Sequence, residues 1–581
     1  MQLLQKIISS SPCTPRCQQA KFLSNNFEEA HMVNSFKKCG YPDFHEHLKK
    51  LDEAGLLTTI EEPVNKDTQL HPLVRWQFRG GIPEEERKAF KFNNVTDSLG
   101  RSFDMPVVVG ALSTNAAMYS IGMGVPIENI GEKWNEAMDN PIDPVTVDEA
   151  ACQEILISRE ELKGEGNGLD RLPVPISTPG YDSAPYLTAT NVITRNPETG
   201  IQNMGTYRAG LKSSNRLAVR MVSRPGGAEG HMHWELYKKR GQKMPCAIVV
   251  GCPPAVAYMG PQKLPIGVDE IGVAGGVVGE PIRQVRCKTI DILVPAESEI
   301  VFEGLIDTEY LEPEAPFAES HGHVALEDFN SSMEVTAITM RKDAVFTSII
   351  SQLTPSESSV IKRVAYEPLY MSHLRDNLGI KGIKKVYLHE NLTNLRRILF
   401  VQVERGVPTT EVWRALYGAS SLAAAIGKYV VAVNDDIDPS NGDAIFWALA
   451  YRANPALDIQ ILRHRVPYGP RDRRSANGED STLLIDATLK SDMPPIALPK
   501  KEYMEHAAAL WENLDLPPLQ PESPWHGYSL GDWTEEWDEM AKRAADGRYM
   551  ENGRRSAQLR RNDVLPNTSI REVPGNPFED K

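Results

Sequence analysis

An α/β protein built from two differently organised lobes is what the sequence predicts, and three observations point that way. From about residue 100 to 350, short β-rich runs alternate with Gly/Pro turns. After Arg363, apolar strand candidates alternate with amphipathic helices, the pattern of a parallel α/β lobe. From Lys500 the chain turns richer in Trp and charge, with Trp511, Trp525, Trp533 and Trp537 set among acids and prolines. Composition agrees with a globular chain. Of 581 residues, 41% are hydrophobic, enough for sizeable cores, and wholesale disorder is excluded. With 63 basic against 78 acidic residues the net charge is −15, so nucleic acid is not an expected partner. No apolar run reaches the roughly 18 residues of a membrane span. Cys246–Gly260 and Leu422–Val433 come nearest and are interrupted by Pro, Gly or Lys. Seven cysteines without paired spacing suggest neither a disulfide framework nor a zinc knuckle.

Taken in order, Met1–Phe27 carries Lys6, Arg16 and Lys21 but no acid, which fits a weak mitochondrial presequence or, in the preferred reading, a plain tail; 1–34 is treated as a leader. Asp43 can cap a helix whose apolar residues Phe44, Leu48 and Leu51 share a face and which Gly55 ends. Residues 35–360 form the first domain, with strands expected at Pro106–Val109, Arg216–Val222, Ala247–Val250, Ile290–Val294 and Val345–Ile350. The second, 361–510, has strands at Lys385–Leu388, Ile398–Val403 and Tyr429–Val433, and helices at Glu411–Ile426 and Ala444–Tyr451. Residues 511–581 read as an extended Trp-rich tail that packs on a neighbouring surface.

Three clusters could carry chemistry. The first pairs Asn203, an oxygen donor for a hard metal ion, with Arg208, a fork suited to a carboxylate or phosphate; arginines follow at 216, 220 and 224. In a strand, positions 203 and 208 face opposite ways, so a bend is needed for both to serve one site; a surface Arg beside an unrelated turn Asn is the alternative. The second is the Pro-rich segment Leu311–Gly322 with Glu312, Glu314 and Glu319 around Phe317. Acids beside an aromatic wall and an arginine can form an acid/base relay; an exposed acidic loop is the alternative. The third is the Gly/Pro-dense run from Gly251 to Glu270, whose backbone can cradle a phosphate and its counter-ions and whose Glu270 is a possible metal ligand, or which is simply a turn-rich connection. Between the first and third, His231 and His233 could form a metal pair or, on a strand, pack beside Trp234.

Asn203, Arg208, Glu270, Glu314 and Glu319, in this order and with Phe317 between the last two, resemble the UbiD family of reversible decarboxylases, which use prenylated FMN. The likeness extends through Thr289–Glu303 and Asn434–Asp438 and covers about residues 35 to 510. Within the family, Leu311–His323 and the Trp-containing tail look most similar to members acting on hydroxylated benzoates such as protocatechuate. The resemblance implies an α+β cofactor lobe with a split-β-barrel, flavin-reductase-like core, and a C-terminal α/β oligomerisation lobe. It implies a carboxy-lyase acting on an aromatic acid through a covalent bond to the cofactor. Arg208 matches the catalytic arginine, Glu314 the glutamate that holds it and Glu319 the proton donor. Asn203 and Glu270 match ligands of a divalent ion, usually Mn2+, that ties the cofactor phosphate to the protein, with K+ beside Gly260, Pro261 and Gln262. The family's third metal ligand is a His before a Gly-Gly turn, where this chain has Ser223, Arg224 and Pro225; His231 could reach that point, or Arg224 could neutralise the phosphate. Expected partners are an aromatic acid, CO2, a flavin prenyltransferase as cofactor supplier and further copies of the chain, in the cytoplasm or alternatively a mitochondrion. An acid of cinnamic or heteroaromatic type is the alternative substrate. An ordinary FMN oxidoreductase would need a nicotinamide site, which no Gly-X-Gly-X-X-Gly after a strand supplies, and a non-catalytic scaffold would not need Arg208, Glu314 and Glu319 together.

Overall fold

The computed structural model describes residues 39–576 apart from 222–227, 263, 265–266, 396, 424–426, 468–477 and 515, so the leader expected at 1–34 and Arg224 lie outside the described residues. The first helix, Phe44–Glu53, starts where expected: Asp43 accepts the Glu46 N–H (2.9 Å) and the Glu46 carboxylate accepts that of Asp43 (3.3 Å). Gly55 stops it at φ +70°, in the left-handed region.

A nine-stranded antiparallel sheet organises the first lobe. Its order is Gln202–Gly205, Thr190–Arg195, Met244–Val250, Ile300–Glu314, Asp328–Met340, Arg216–Val219, Ala209–Ser213 and Tyr186–Leu187, with Ile155–Ser158 paired to Asp328–Met340 off this path. Side chains alternate between two cores. Val192, Ile248 and Phe302 enter one, with Val107 and Phe346; Ile193, Val249 and Val301 enter the other, against Tyr119, Trp134 and Tyr258 from flanking helices. Gln202–Gly205 and Ala209–Ser213 stand far apart in the strand order, yet only Thr206–Arg208 connects them. Four residue steps span at most about 14 Å, so the sheet must curl until its ends approach. Among the described residues the sheet remains open and no barrel closes.

The helix Glu357–Ser372 joins the lobes, giving Ile361 to one core and Ala365, Tyr366 and Tyr370 to the next. Beyond it, five strands run in the order Ile383–Leu388, Ile398–Val403, Tyr429–Asn434, Asp480–Asp486, Ile459–Arg465. The central three are parallel, as expected, while both edge pairings are antiparallel. Among the described residues from 501 on, the tail is not merely extended. It forms helices Lys501–Trp511, Glu535–Ala545 and Tyr549–Gln558, none with a buried residue, and the rings of Trp533 and Trp537 lie 5.7 Å apart. Several expected boundaries shift, among them the strand from Arg216, which ends at Val219, the one near residue 290, which is Leu293–Pro295, the one expected at Val345–Ile350, which is Phe346–Ser348, and the helix from Thr409, which ends at Ser421. No helix among the described residues is long and apolar enough to cross a membrane.

Candidate active site

Arg208, Glu314 and Glu319 meet in space. Arg208 lies just before the strand Ala209–Ser213, and its carbonyl accepts the N–H of Arg220 (3.2 Å), continuing the ladder that pairs Ala209 with Val219. Glu314 ends the strand Ile300–Glu314, opposite Asp328. The chain then passes Ala315, at φ +81°, into the short pair Phe317–Ala318 with Val324–Ala325. Glu319 sits at its turn, where Glu319 N–H donates to the His323 carbonyl (3.1 Å) and Gly322 N–H to that of Glu319 (2.9 Å). The acids therefore occupy a strand end and a hairpin turn rather than a free loop. Ala315, which carries a Cβ where glycine is at ease, holds backbone strain between them.

Arg208 grips Glu314 with both sides of its fork, Nε and Nη2 each 2.8 Å from a carboxylate oxygen, and pairs through Nη1 with Glu319 Oε1. Tyr186 donates its hydroxyl to Glu314 Oε1 (3.0 Å) and Asn330 its amide to Oε2 (3.2 Å). The guanidinium carbon lies 4.8 Å from the centre of the Phe317 ring. With side chains 8% and 1% exposed, Arg208 and Glu314 form a buried, doubly bonded pair. Burial opposes the charge of Arg208, yet the bonds to Glu314 and the charge of Glu319 hold its pKa above the ordinary value. On its outer side, Glu319 Oε2 faces His321 Nε2 at 3.4 Å, and burial lowers the pKa of that imidazole. Asp182 accepts the N–H groups of Thr178 (2.7 Å) and Ala318 (2.9 Å), bracing the hairpin, and burial lifts its pKa to about 6.

Asn203 and Glu270 form the second cluster. Glu270 is the first residue of the helix Glu270–Val278, whose preceding Asp269 caps it by accepting the Ile271 N–H (3.0 Å). Glu270 Oε2 accepts the Met204 N–H (3.2 Å), and the Asn203 amide, oriented to donate, lies 3.2 Å from Glu270 Oε1. Burial raises the Glu270 pKa to about 8, and the nearby charges of Glu229 and Asp269 add to the shift. A carboxylate and a carboxamide buried together are hard oxygen donors suited to a divalent cation. The Gly260 carbonyl accepts the Thr206 N–H (3.3 Å), and a Cβ on Gly260 would fall 2.4 Å from Thr206 Oγ1, so a side chain here would require Thr206 to shift. Two residues on, Gln262 keeps a buried Oε1 without a hydrogen-bond partner. Pro261 lends its carbonyl to the Tyr366 hydroxyl (3.3 Å).

The two histidines lie on a helix, Glu229–Lys239, not on a strand, so they point to different sides. His231 stacks on Trp234 and has Glu235 Oε1 3.7 Å from its Nε2, rather than contacting Asn203 or Glu270. His233 is buried, its Nδ1 2.8 Å from Thr194 Oγ1, with burial lowering its pKa to about 4. Glu229 is the group of this helix whose charge reaches Glu270. Tyr186, Asn330, Asp182 and Glu229 were not singled out from the sequence. Arg220 was noted there only as one of a run of arginines.

Residues 145–353 match the family model described as the 3-octaprenyl-4-hydroxybenzoate carboxy-lyase Rift-related domain, and 359–487 that of the carboxy-lyase C-terminal domain. An uncharacterised protein of Aquifex aeolicus is 26% identical over 509 residues, 82% of this chain and 99% of that one. Among solved structures, the UbiD-class enzyme HmfF of Pelotomaculum thermopropionicum in complex with FMN superposes with a TM-score of 0.68 at 25% identity, covering 78% of this chain and 95% of HmfF. Vanillic acid decarboxylase of Sedimentibacter hydroxybenzoicus, at 20% identity, shares the fold with a TM-score of 0.66 over 82% of this chain and all (100%) of its own. Matched by both models of the family over more than half its length, the chain belongs to the UbiD family of carboxy-lyases.

Proposed function

We propose that this protein catalyses the reversible, non-oxidative decarboxylation of an aromatic acid of hydroxybenzoate type, with Arg208 orienting the carboxylate and Glu319 delivering the proton that replaces CO2. One observation carries this reading: a buried arginine locked by Glu314 presents its remaining face to a second, more exposed carboxylate, 24% exposed, on a hairpin turn. Loss of CO2 from an sp2 ring carbon leaves an electron pair in the ring plane that side chains alone stabilise poorly. Prenylated FMN, when bound, supplies the electron sink. HmfF has been solved with FMN and, in an evolved dimeric form, with prFMN, which supports a flavin here. Asn203 and Glu270 would hold a divalent cation such as Mn2+ against its phosphate, with Glu229 rather than His231 as the third ligand, and the Gly260–Gln262 turn would border K+. The unpartnered Gln262 Oε1 and the close approach at Gly260 fit such a seat.

The protein's own part is positional and acid–base. Glu314 fixes the plane of Arg208, and Arg208 aligns the departing carboxylate. Glu319 gives its proton to the ring carbon and is left as an anion beside two arginines. The hydroxybenzoate class is supported by neighbours that act on vanillic and 3,4-dihydroxybenzoic acids. We take the working form to be a cytoplasmic homodimer or larger homo-oligomer, its cofactor supplied by a flavin prenyltransferase.

The test is CO2 release from 4-hydroxybenzoate, protocatechuate, vanillate, a cinnamate and a heteroaromatic acid by protein produced together with a flavin prenyltransferase. Turnover of a hydroxybenzoate is expected, falling by about 10²–10⁴-fold in Glu319→Gln with flavin content unchanged. Near-normal release by that variant would refute the role of Glu319, and no release from any acid by the unaltered protein would refute the reading as a whole.

A further inference from the structure

The hairpin that carries Glu319 is too small to hold itself. Its ladder pairs only Phe317–Ala318 with Val324–Ala325, and an isolated two-stranded hairpin is marginal at best in water. Successive N–H groups along such a strand point to opposite edges. Glu319 N–H turns inward to the His323 carbonyl, so that of Ala318 turns outward, where Asp182 Oδ1 accepts it (2.9 Å). Beside it, Ser183 N–H donates to the Pro316 carbonyl (2.9 Å). Asp182 is held in turn by its own loop, its Oδ2 accepting the Thr178 N–H (2.7 Å). That loop is pinned from the far side by the Gln352 amide, 2.6 Å from both the Ser177 carbonyl and Thr178 Oγ1. One carboxylate thus joins the anchored loop to the hairpin, and Glu319 is the residue after the amide it grips.

We propose that Asp182 is the positioning residue of the proton donor: its ionised carboxylate fixes the backbone from which Glu319 projects, and its protonation frees that backbone and slows decarboxylation in acid. The proposal rests on the decarboxylase reading and assigns a residue that reading does not use. Both N–H groups call for an acceptor. An ionised carboxyl offers two and donates nothing, whereas a carboxylic acid or a carboxamide must turn a donor towards one of them. Burial lifts this carboxyl to about 6, while the N–H bonds of Ala318 and Thr178 and the charge of Arg208 hold it down. Arg208 is the charged side chain that acts on it; the other titratable groups on the elements around it are Tyr181, Tyr186, Glu314, Glu319, His321 and His323. The anchor is therefore complete above pH 6 and is lost as pH falls through that value.

The experiment has two arms, both on flavin-loaded protein between pH 4.5 and 8, in the unaltered chain and in Asp182→Asn. The first is CO2 release from protocatechuate. At pH 7.5 the variant should lose about 10- to 100-fold in kcat with KM within about twofold and flavin content unchanged, and it should lack the fall below pH 6 that the unaltered chain shows. The second is amide hydrogen exchange of residues 315–325, corrected for the intrinsic effect of pH. Exchange should be about tenfold faster in the variant at pH 7.5, and should quicken likewise in the unaltered chain below pH 6. An acid limb that survives in Asp182→Asn, or hairpin protection in the unaltered chain that stays constant from pH 5 to 7.5, would overturn the assignment. Should the Asn variant fail to fold, exchange in the unaltered chain decides by itself. Absence of CO2 release from any hydroxybenzoate would overturn the decarboxylase reading, while the exchange arm, which needs no turnover, still shows whether Asp182 holds the hairpin.

Discussion

The Arg208–Glu314 pair can be tested as a unit by a double-mutant cycle. The side chains of Arg208 and Glu314 are 8% and 1% exposed and share two bonds of 2.8 Å. Removing one partner of such a buried pair leaves the other charge without its counter-ion, which costs about 3–5 kcal/mol. In Arg208→Met, Glu314 keeps Tyr186 and Asn330 as donors and has Arg220 3.9 Å away, so the lower end of that range is expected. Glu314→Gln still accepts one N–H and should cost about 2 kcal/mol. The double variant strands no charge from this pair, so its deficit should fall short of the sum by about 2–3 kcal/mol. Urea denaturation of the four proteins, followed by tryptophan fluorescence, measures each term. Deficits that add to within about 0.5 kcal/mol would show that the two side chains do not act together, and the positioning role of Glu314 would fall.

Glu357 is buried and accepts N–H bonds from Leu112 (2.9 Å), Ser113 (3.4 Å) and Ile350 (3.2 Å), with burial raising its pKa from 4.5 to about 7. A raised carboxyl binds its proton more tightly folded than unfolded, so its contribution is full below pH 4.5 and is lost as pH rises towards 7. Glu357→Gln should remove about 3 kcal/mol of pH-dependent stability between pH 5 and 8, and identical urea midpoint shifts in both proteins would contradict this. Gly260→Ala should push Thr206 aside, and with it the Asn203–Arg208 segment, cutting CO2 release by about 100-fold; a wild-type rate would show that the close approach does not matter. If Asn203 and Glu270 hold a cation, dialysis against a chelator should lower both melting temperature and retained flavin, and Mn2+ should restore them in the unaltered protein but not in Glu270→Gln. A melting curve indifferent to chelator and Mn2+ would remove the metal seat.

What the sequence made legible was what local chemistry decides. Asp43 announced a helix start because a short acid before Phe44, Leu48 and Leu51 can satisfy an N-terminal amide and nothing else nearby competes. The strand at 398–403 and the 247–250 part of the strand Met244–Val250 were visible as apolar runs, and Glu314 and Glu319 stood out because acids between prolines and Phe317 do not suit a solvated helix face. Register decides the rest, and it has no local signal. Arg220 joins the site because it falls opposite Arg208 across one ladder, and Tyr186 and Asn330 because their strands bring them to Glu314. His231 and His233 were misjudged as strand residues since glycines at 226, 227 and 230 mask the helix that begins at Glu229. On a helix the two cannot face one ion.

The spacing of Asn203 and Arg208 posed a geometric problem, since both cannot face the same side of one strand, and the curled sheet resolves it. The strand ends at Gly205, and Thr206–Arg208 crosses from one end of the strand order to near the other. Asn203 is then tied to Glu270 from a helix, and Arg208 to Glu314 from a strand whose partner lies at Asp328. Neither anchor depends on the other's side chain. Their separation is set by three residues of backbone, one of them held to Gly260 by the Thr206 N–H. If Asn203 with Glu270 seats a cation and Arg208 with Glu314 and Glu319 forms the acid–base centre, as proposed, then so short a connection holds the two at a fixed offset while both ladders stay intact. That offset is the quantity a flavin bridging phosphate seat and reacting carbon would require, and on the proposed reading it places the chemistry at the seam of the sheet rather than in either lobe's interior.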